Sequence, residues 1–557
     1  MSIEKMQKGS EYMAETLHAY GITHVFLMEA ILRHTLVELE RLGVRRIVAH
    51  SEKGAAYMAD GYARAGRKPG VCMSQSVGAA NLSAGLQDAY LASSPVIAIT
   101  GRKAPEFQHR HSYQELDHGP LFAAVTKYNV FASAPELVPM YLRQCFREAT
   151  SGRPGPVHLD VTNHAGAFLD KCKTNFDATA EPQYARVPAM RPLPDPDAVR
   201  KLADVIRAAQ RPLLVVGNGA NISGAHDETR ALADLGLPVA SSVDGKGLLP
   251  DSHPLYLGPV GDYNRKCAND MIKRADLVVY VGCSVNDQLT LDWTLPPRGV
   301  RIAQIDISPE ELGRNIPNCA SVLGDAKLSM AALVQALEGW RAPSAWTAEA
   351  EAALTDWLRR HAARLTSNAV PILTDRLCQD LSDFLPQDSV VVADTGFSSI
   401  WTGAFVRFLK PGQRLIRATG GSLGWSFPAS LGAKCALPDR PVFCFTGDGG
   451  FWYHLCEMET AARHNIKTIT VLNNNGGFGQ CAGKVRQIYA GKEGRPEDLF
   501  MFRNTNFTRI AEEMGCMGIR VEQPADIIPA LEKALAADRP VLVEVITDIA
   551  CDPQEQE

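Results

Sequence analysis

Short runs rich in Val and Ile recur along the chain, each closing on Gly, Asn or Asp and giving way to a longer amphipathic stretch. PVIAIT, PLLVVG, DLVVYVG, SVVVAD, PVFCFTGDGG, TITVLNNN and PVLVEVIT are examples. Runs without polar alternation mark strands covered on both faces, and the helical stretch between them is the crossover that parallel strands require. The expected fold class is therefore α/β, made of doubly wound parallel sheets. Two stretches break the rhythm: 171–197 mixes prolines with polar residues, and 341–366 reads as one charged helix between apolar-rich regions. They divide the 557 residues into three expected domains, 1–180, 190–345 and 365–550, each of ordinary size.

Charge and apolar run length narrow the partners. Lys and Arg number 57 against 62 Asp and Glu, a net charge of −5, and no basic block stands out, so nucleic acid is not an expected partner. LLVV and LVVYV are among the longest apolar runs, far short of a membrane span, and the first residues lack the apolar core of a signal peptide. A cytoplasmic protein with no membrane partner is expected. The 13 cysteines include no CxxC pair, which speaks against a zinc knuckle or a disulfide framework and for reduced thiols.

Residues 446–480 carry the most chemistry. One strand ends in Gly447-Asp448-Gly449-Gly450, a helix follows, and a second strand ends in the asparagines 473–475. Asp448 and Asn475 then stand at the C-terminal ends of two parallel strands, the edge where open α/β sheets bind ligands. A carboxylate and an amide oxygen presented together suit a hard cation such as Mg²⁺, which shares its shell with phosphate oxygens. The glycines let backbone approach those phosphates.

With this pattern the sequence resembles the thiamine diphosphate enzymes of the acetolactate synthase and oxalyl-CoA decarboxylase superfamily, along nearly the whole chain. The resemblance implies three domains, binding the pyrimidine, a central nucleotide site and the diphosphate. It implies thiamine diphosphate and Mg²⁺ as cofactors, with Asp448, Asn475 and the carbonyl of Gly477 as metal ligands and the 447–450 glycine turn against the diphosphate. HSEKGAAYMADGYAR (50–64) is similar to the family's HEQxAxxxADGYAR helix, which makes Glu52 the cofactor-activating glutamate. YQELD (113–117) is similar to FQExD and offers Gln114 as an active-site hydrogen-bonder. GGSLGWSFPASLGAK (420–434) is similar to the segment whose leucine, here Leu423, wedges the cofactor into a bent shape. In the central domain, Asp306 ends a strand where a ribose would be held, and Asp325 matches a position of relatives that bind ADP or FAD. The segment typical of FAD-binding relatives is replaced by GCSVNDQLTLDW (282–293), which argues against FAD and leaves ADP or an empty site open. The family also builds each site from the N-terminal domain of one subunit and the C-terminal domain of another, so a homodimer or homotetramer with interfacial active sites is implied.

Two departures bear on the substrate. The family's VFGxPG reads Val25-Phe26-Leu27-Met28-Glu29-Ala30, and the metal motif is followed by a polar segment, 479–507, of the kind that closes over a site as a lid. That segment contains Glu493, a candidate general base. On these features the chain is most similar to actinobacterial 2-hydroxyacyl-CoA lyases of the 2-hydroxyisobutyryl-CoA lyase type. The expected reaction is then cleavage of a 2-hydroxyacyl-CoA to a ketone or aldehyde plus formyl-CoA, with Lys484, Arg486, Arg407 and Lys410 as candidates for the coenzyme A phosphates. The other enzymatic reading is an acetolactate synthase-like carboligase, or a decarboxylase, acting on a free 2-oxo acid. The full set Glu52, Asp448 and Asn475 argues against a non-catalytic scaffold.

Overall fold

The computed structural model describes residues 7–162, 169–171, 173–174 and 180–554. The part of the linker reading at 172 and 175–179 lies outside the described residues. Three six-stranded sheets, all parallel, form the frame. In the first, the strands run in the order Arg45–Val48, His24–Leu27, Gly70–Gln75, Val96–Arg102, Val157–Thr162, Tyr128–Ala132. The second has the order Tyr256–Pro259, Val239–Ser241, Pro212–Val216, Leu277–Val281, Arg301–Asp306, Ala320–Leu323. In the third it is Arg414–Arg417, Val390–Ala393, Val442–Gly447, Ile469–Asn474, Val541–Ile546, Met517–Val521. Helices cover both faces, so the chain is a three-sheet, doubly wound α/β protein. By order of appearance, the first and third sheets share one winding, second-first-third-fourth-sixth-fifth, and the middle sheet winds third-second-first-fourth-fifth-sixth. Each therefore has one point where the winding reverses, and there the connections splay apart at the C-terminal edge and open a crevice.

The stretch 341–366 contains one long helix, Ser344–Leu365, whose Trp346 and Trp357 are buried. No described helix is long and apolar enough to cross a membrane. The described cysteines are free thiols, and most are buried.

The first and third units are locked together by one helix pair. The helix Glu52–Gly66 starts on a capping serine, Ser51, whose hydroxyl accepts from Gly54 N at 2.9 Å. It then presents Gly54, Ala55, Ala56, Ala59, Gly61 and Ala63, small residues that let another backbone come close. The helix Ser426–Ala436 answers with Pro428, Ala429, Ser430, Gly432 and Ala433. A Cβ on Gly61 would overlap the carbonyl of Ala429, and one on Gly432 the carbonyl of Met58. Around this crossing lies a buried charge cluster. Arg64 donates to Asp60 at 2.6 and 2.8 Å and to Asp88 at 2.8 Å, the indole N–H of Trp425 reaches Asp60 at 2.9 Å, and the Arg64 guanidinium stacks over that indole.

Gly432→Ala should therefore destabilise the chain by about 1–3 kcal/mol in denaturant unfolding, because nothing at the crossing can yield to the added methyl. Gly483→Ala, in an exposed helix with open space around its Cα, should be neutral or stabilise by up to about 1 kcal/mol. Equal effects of the two substitutions would show that the close approach is not what holds these helices.

Candidate functional site

In the third sheet, Val442–Gly447 and Ile469–Asn474 are neighbours with Gly447 opposite Asn473, so Asp448 and Asn475 emerge side by side at the C-terminal edge. Asp448 is 2% exposed, and its Oδ1 is buried without a hydrogen-bond partner. Burial pushes its carboxyl up to about 7 and Glu544 adds to the rise, while backbone N–H groups of Asp448, Gly449 and Asn475 pull the other way. Asn475 Oδ1 accepts from Gly477 N at 3.3 Å. The strand-end asparagines beside it are spent on the frame: Asn473 accepts from Thr547, and Asn474 donates to Glu544 at 2.7 Å. Gly477 pairs with Met501 as an isolated bridge, so close that a Cβ would overlap the Phe500 carbonyl.

No group of three His, Cys, Asp or Glu gathers among the described residues as a ready-made metal cage. One orphaned carboxylate with amide and carbonyl oxygens beside it is the donor set of a hard cation that completes its shell from a bound phosphate. A Mg²⁺–diphosphate group fits these residues.

The loop leading into the helix Ser426–Ala436 carries Leu423, half-buried, and is clamped by two buried carboxylates that the sequence did not flag. Asp88 accepts from Thr419 N at 3.0 Å, Gly420 N at 3.1 Å and Ser422 N at 3.4 Å. Asp394, just past the strand Val390–Ala393, accepts from Gly424 N at 3.0 Å and the Ser426 hydroxyl at 2.7 Å. Its carboxyl is raised by burial against the hydrogen bonds it receives from Ser426, Thr395 and Gly424. Asp394 and Asp448 flank the reversal point of the third sheet.

At the C-terminal edge of the first sheet, the structure brings Glu52 and Gln114 to one turn. Glu52, in the first turn of its helix, accepts from Asn81 at 3.1 Å and lies so close to Gly78 that a Cβ there would crowd it. Gln114 sits at φ 61°, takes Gln75 Nε2 at 3.4 Å, and gives its carbonyl to the Ser76 hydroxyl at 2.8 Å. No hydrogen bond among the described residues joins Glu52 or Gln114 to Asp448 or Asn475. Instead, a single chain keeps the two groups at separate edges.

Asp306 and Asp325 meet at one cavity at the reversal point of the middle sheet, lined also by Asn218, Gly219, Gly282 and Cys283. Burial pushes the Asp306 carboxyl up to about 6. Asp325 is committed to the frame: it takes Arg191 at 3.0 Å and Ser223 at 2.8 Å, and caps the next helix through Leu328 N at 3.1 Å.

The substrate expectations fare differently. Glu493 is exposed and forms no hydrogen bond or ion pair among the described residues. The segment expected as a lid is a helix, Gly479–Tyr489, and a short turn, Pro496–Leu499. Its ends are stapled by Phe478 N to Phe500 O and Phe502 N to Gly476 O, both at 2.8 Å. Lys410 holds the Leu385 carbonyl at 2.7 Å, Arg407 reaches Gln379 at 3.4 Å, and Arg486 lies over the Phe500 ring. Lys484 is exposed, and each of the other three is held by a different partner. Glu29, the charged newcomer near the first sheet, is exposed and paired with Arg33 at 2.5 Å.

Three family models match the chain: the N-terminal TPP binding domain of thiamine pyrophosphate enzymes over residues 7–121, their central domain over 199–333, and their C-terminal TPP binding domain over 394–545. Among similar proteins, a probable acetolactate synthase large subunit of Methanocaldococcus jannaschii is 31% identical, over 98% of this chain and 92% of that protein. The acetolactate synthase isozyme 2 large subunit of Escherichia coli K12 is 30% identical over 97% and 95%. The acetolactate synthase large subunit of Corynebacterium glutamicum is 31% identical over 90% and 80%. This end-to-end similarity overturns the expectation of a 2-hydroxyacyl-CoA lyase releasing formyl-CoA. Glu493 and the basic side chains offered for the coenzyme A phosphates are exposed or otherwise engaged.

The raised Asp448 carboxyl makes the binding of any cation at its Oδ1 sensitive to pH. Its raised folded-state value means that, without metal, the contribution of its neutral form to stability is fully present below the ordinary carboxylate value and is lost as pH rises through about 7. A cation favours the ionised form. Thermal stabilisation by Mg²⁺ with diphosphate should therefore grow from pH 5 to about 7 and level off above, and Asp448→Ala should abolish it at every pH. A pH-independent stabilisation that survives in the variant would place the metal elsewhere.

Proposed function

The chain belongs to the thiamine pyrophosphate enzyme family, with thiamine diphosphate and a divalent metal as its cofactors, and from this we propose that it is a carboligase joining two free 2-oxo acids, pyruvate among them, with loss of CO₂. The observation that carries the reading is the similarity to acetolactate synthase large subunits along 90–98% of the chain. When bound, the cofactor would supply a nucleophilic ring carbon to bond the 2-oxo carbon and a cationic ring nitrogen to take up the electron pair that loss of CO₂ releases.

The chain's own residues do the rest. Asp448, Asn475 and the Gly477 carbonyl would hold the metal, and the glycine turn 447–450 would take the diphosphate. Leu423, fixed by the Asp88 and Asp394 clamps, supports the cofactor between its rings. Glu52 holds a proton against the pyrimidine nitrogen, and Gln114 donates or accepts beside it. The central cavity at Asp306 is where a nucleotide such as ADP would sit. Glu29, balanced by Arg33, puts no net charge on the substrate side.

Each active site is shared between two copies. Glu52 and Asp448 lie at separate edges of one chain, and large apolar side chains beside both edges are open to solvent: Val77 is 44% and Tyr113 79% exposed near Glu52, Trp452 39% and Tyr453 53% beyond Asp448. A second copy that covers these side chains would bring one chain's Glu52 to the other's Asp448.

With thiamine diphosphate and Mg²⁺, the protein should consume pyruvate and release CO₂ and a coupled 2-hydroxy-2-methyl-3-oxo acid. Absence of any product from pyruvate alone or paired with a second 2-oxo acid would sink the reading. Glu52→Gln should slow turnover by roughly 10²- to 10⁴-fold while leaving the melting curve and Mg²⁺ binding intact. Val77→Asp should shift the protein to monomer in light scattering and abolish activity together; an active monomer would contradict the shared site.

A further inference from the structure

Behind the Glu52 helix, where the three domains meet, a second cavity is lined by Arg64, Arg67, Arg414 and Arg417. Two of these cations are balanced: Arg64 by Asp60 and Asp88, and Arg417 by Asp244 at 2.8 Å. The other two are not. Arg67 ends the Glu52 helix in the left-handed region, at φ 51°, and among the described residues its guanidinium hydrogen-bonds only Asn221 Oδ1, at 3.4 Å. Arg414 gives Nη2 to the Ala65 carbonyl at 2.6 Å and leaves Nε buried without an acceptor.

The nearby carboxylates are committed elsewhere. Asp388, which faces Arg414, lies 3.7 Å from Arg440, and Asp325 is taken by Arg191. Among the described residues, neither Arg67 nor Arg414 has a carboxylate partner. Two cations thus face one cavity in a region of reduced dielectric, where like charges repel more strongly than in water. Their acidity reflects it. Arg414 is lowered to about 9 by burial first, then by Arg440 and Arg67, and Arg67 is lowered by burial, Arg191 and Arg440.

We propose that this junction is an oxyanion site, taking a phosphate group between Arg67 and Arg414. Charge-assisted hydrogen bonds from two guanidiniums suit a phosphate's oxygens, and the buried Nε supplies a donor that nothing among the described residues uses. The phosphate belongs either to free inorganic phosphate or to the phosphoryl end of a larger ligand in the central cavity, which shares Asn218, Asp244, Arg417 and Thr419 with this one. Bound there, it ties the end of the Glu52 helix to the strand Arg414–Arg417, from which the Leu423 loop departs. The site is independent of the reaction proposed above.

The test uses the full chain saturated with thiamine diphosphate and Mg²⁺, so that the diphosphate site is filled. Inorganic phosphate and, separately, ADP are titrated by calorimetry at ionic strength held constant with chloride. Saturable binding is expected. Arg67→Gln and Arg414→Gln should each weaken it by roughly tenfold or more, while Arg495→Gln, an exposed charge, should leave it unchanged. Weakened phosphate binding identifies the free anion. Weakened ADP binding without any phosphate binding identifies the phosphoryl end of a larger ligand. If neither probe binds the unmodified protein, or if both arginine variants bind as it does, the proposal falls. The first of these results needs no variant to fold.

Discussion

The crossing of the helices Glu52–Gly66 and Ser426–Ala436 is the contact on which the rest of the structure depends. Two backbones approach so closely that Gly61 and Gly432 leave no room for a methyl group, and the gap beside them is filled by Trp425 over Arg64. The enclosed charges depend on one cation. Arg64 binds both Asp60 and Asp88, and losing it would leave two buried carboxylates uncompensated, a loss of about 3–5 kcal/mol. Both ends of the crossing carry parts of the site. Glu52 starts one helix and the Leu423 loop leads into the other, so the contact that joins two domains also fixes the parts of the site within them. Asp88 makes the link explicit, because the carboxylate that binds Arg64 also holds three backbone N–H groups of that loop.

The sheets supply the second constraint. Winding in opposite senses from one reversal point leaves a crevice at the C-terminal edge, and in the second and third sheets a buried carboxylate of raised pKa stands there. Asp448 has an orphaned oxygen and a carboxyl raised to about 7, and Asp306 is raised to about 6. Packing alone gives no reason to bury such groups, and a cation or hydrogen-bonding ligand does. The shared winding of the first and third sheets means that the turn after Gln75, beside Glu52, and the turn at Asp448 occupy corresponding places, each after the third strand of its sheet. One architecture has been used twice, once to present Glu52 and once to present Asp448.

How much of this was legible in the sequence follows from the range of each interaction. The strands showed because parallel strands are buried on both faces and read as unbroken Val and Ile runs. Gly447-Asp448-Gly449-Gly450 and Asn475 showed because their chemistry and backbone demands are local. Asp88 and Asp394 did not show, since each serves backbone N–H groups of a loop distant in sequence, and an Asp in a helix or at a strand end looks ordinary by itself. The substrate did not show for a related reason. A single lid glutamate such as Glu493 says little about a ligand, and long charged side chains such as Lys410 and Arg407 take whatever acceptor the fold provides, here the Leu385 carbonyl and Gln379.

The Glu52 helix also supports the proposal of a site shared between two copies. From Gly54 to Ala63 it is buried, invested in the crossing, while Glu52 and Lys53 stay half-exposed beside the open side chain of Val77. The helix at Asp448 shows the same division, with Asp448 through Phe451 buried and Trp452 and Tyr453 turned to solvent. Each half of the site is thus rigidly held from behind and open in front, with an apolar rim that is costly to leave in water. A twofold arrangement that sets one chain's first edge against the other's third edge would cover both rims at once. By symmetry it would then create two equivalent sites, each with an acid from one copy and a metal from the other.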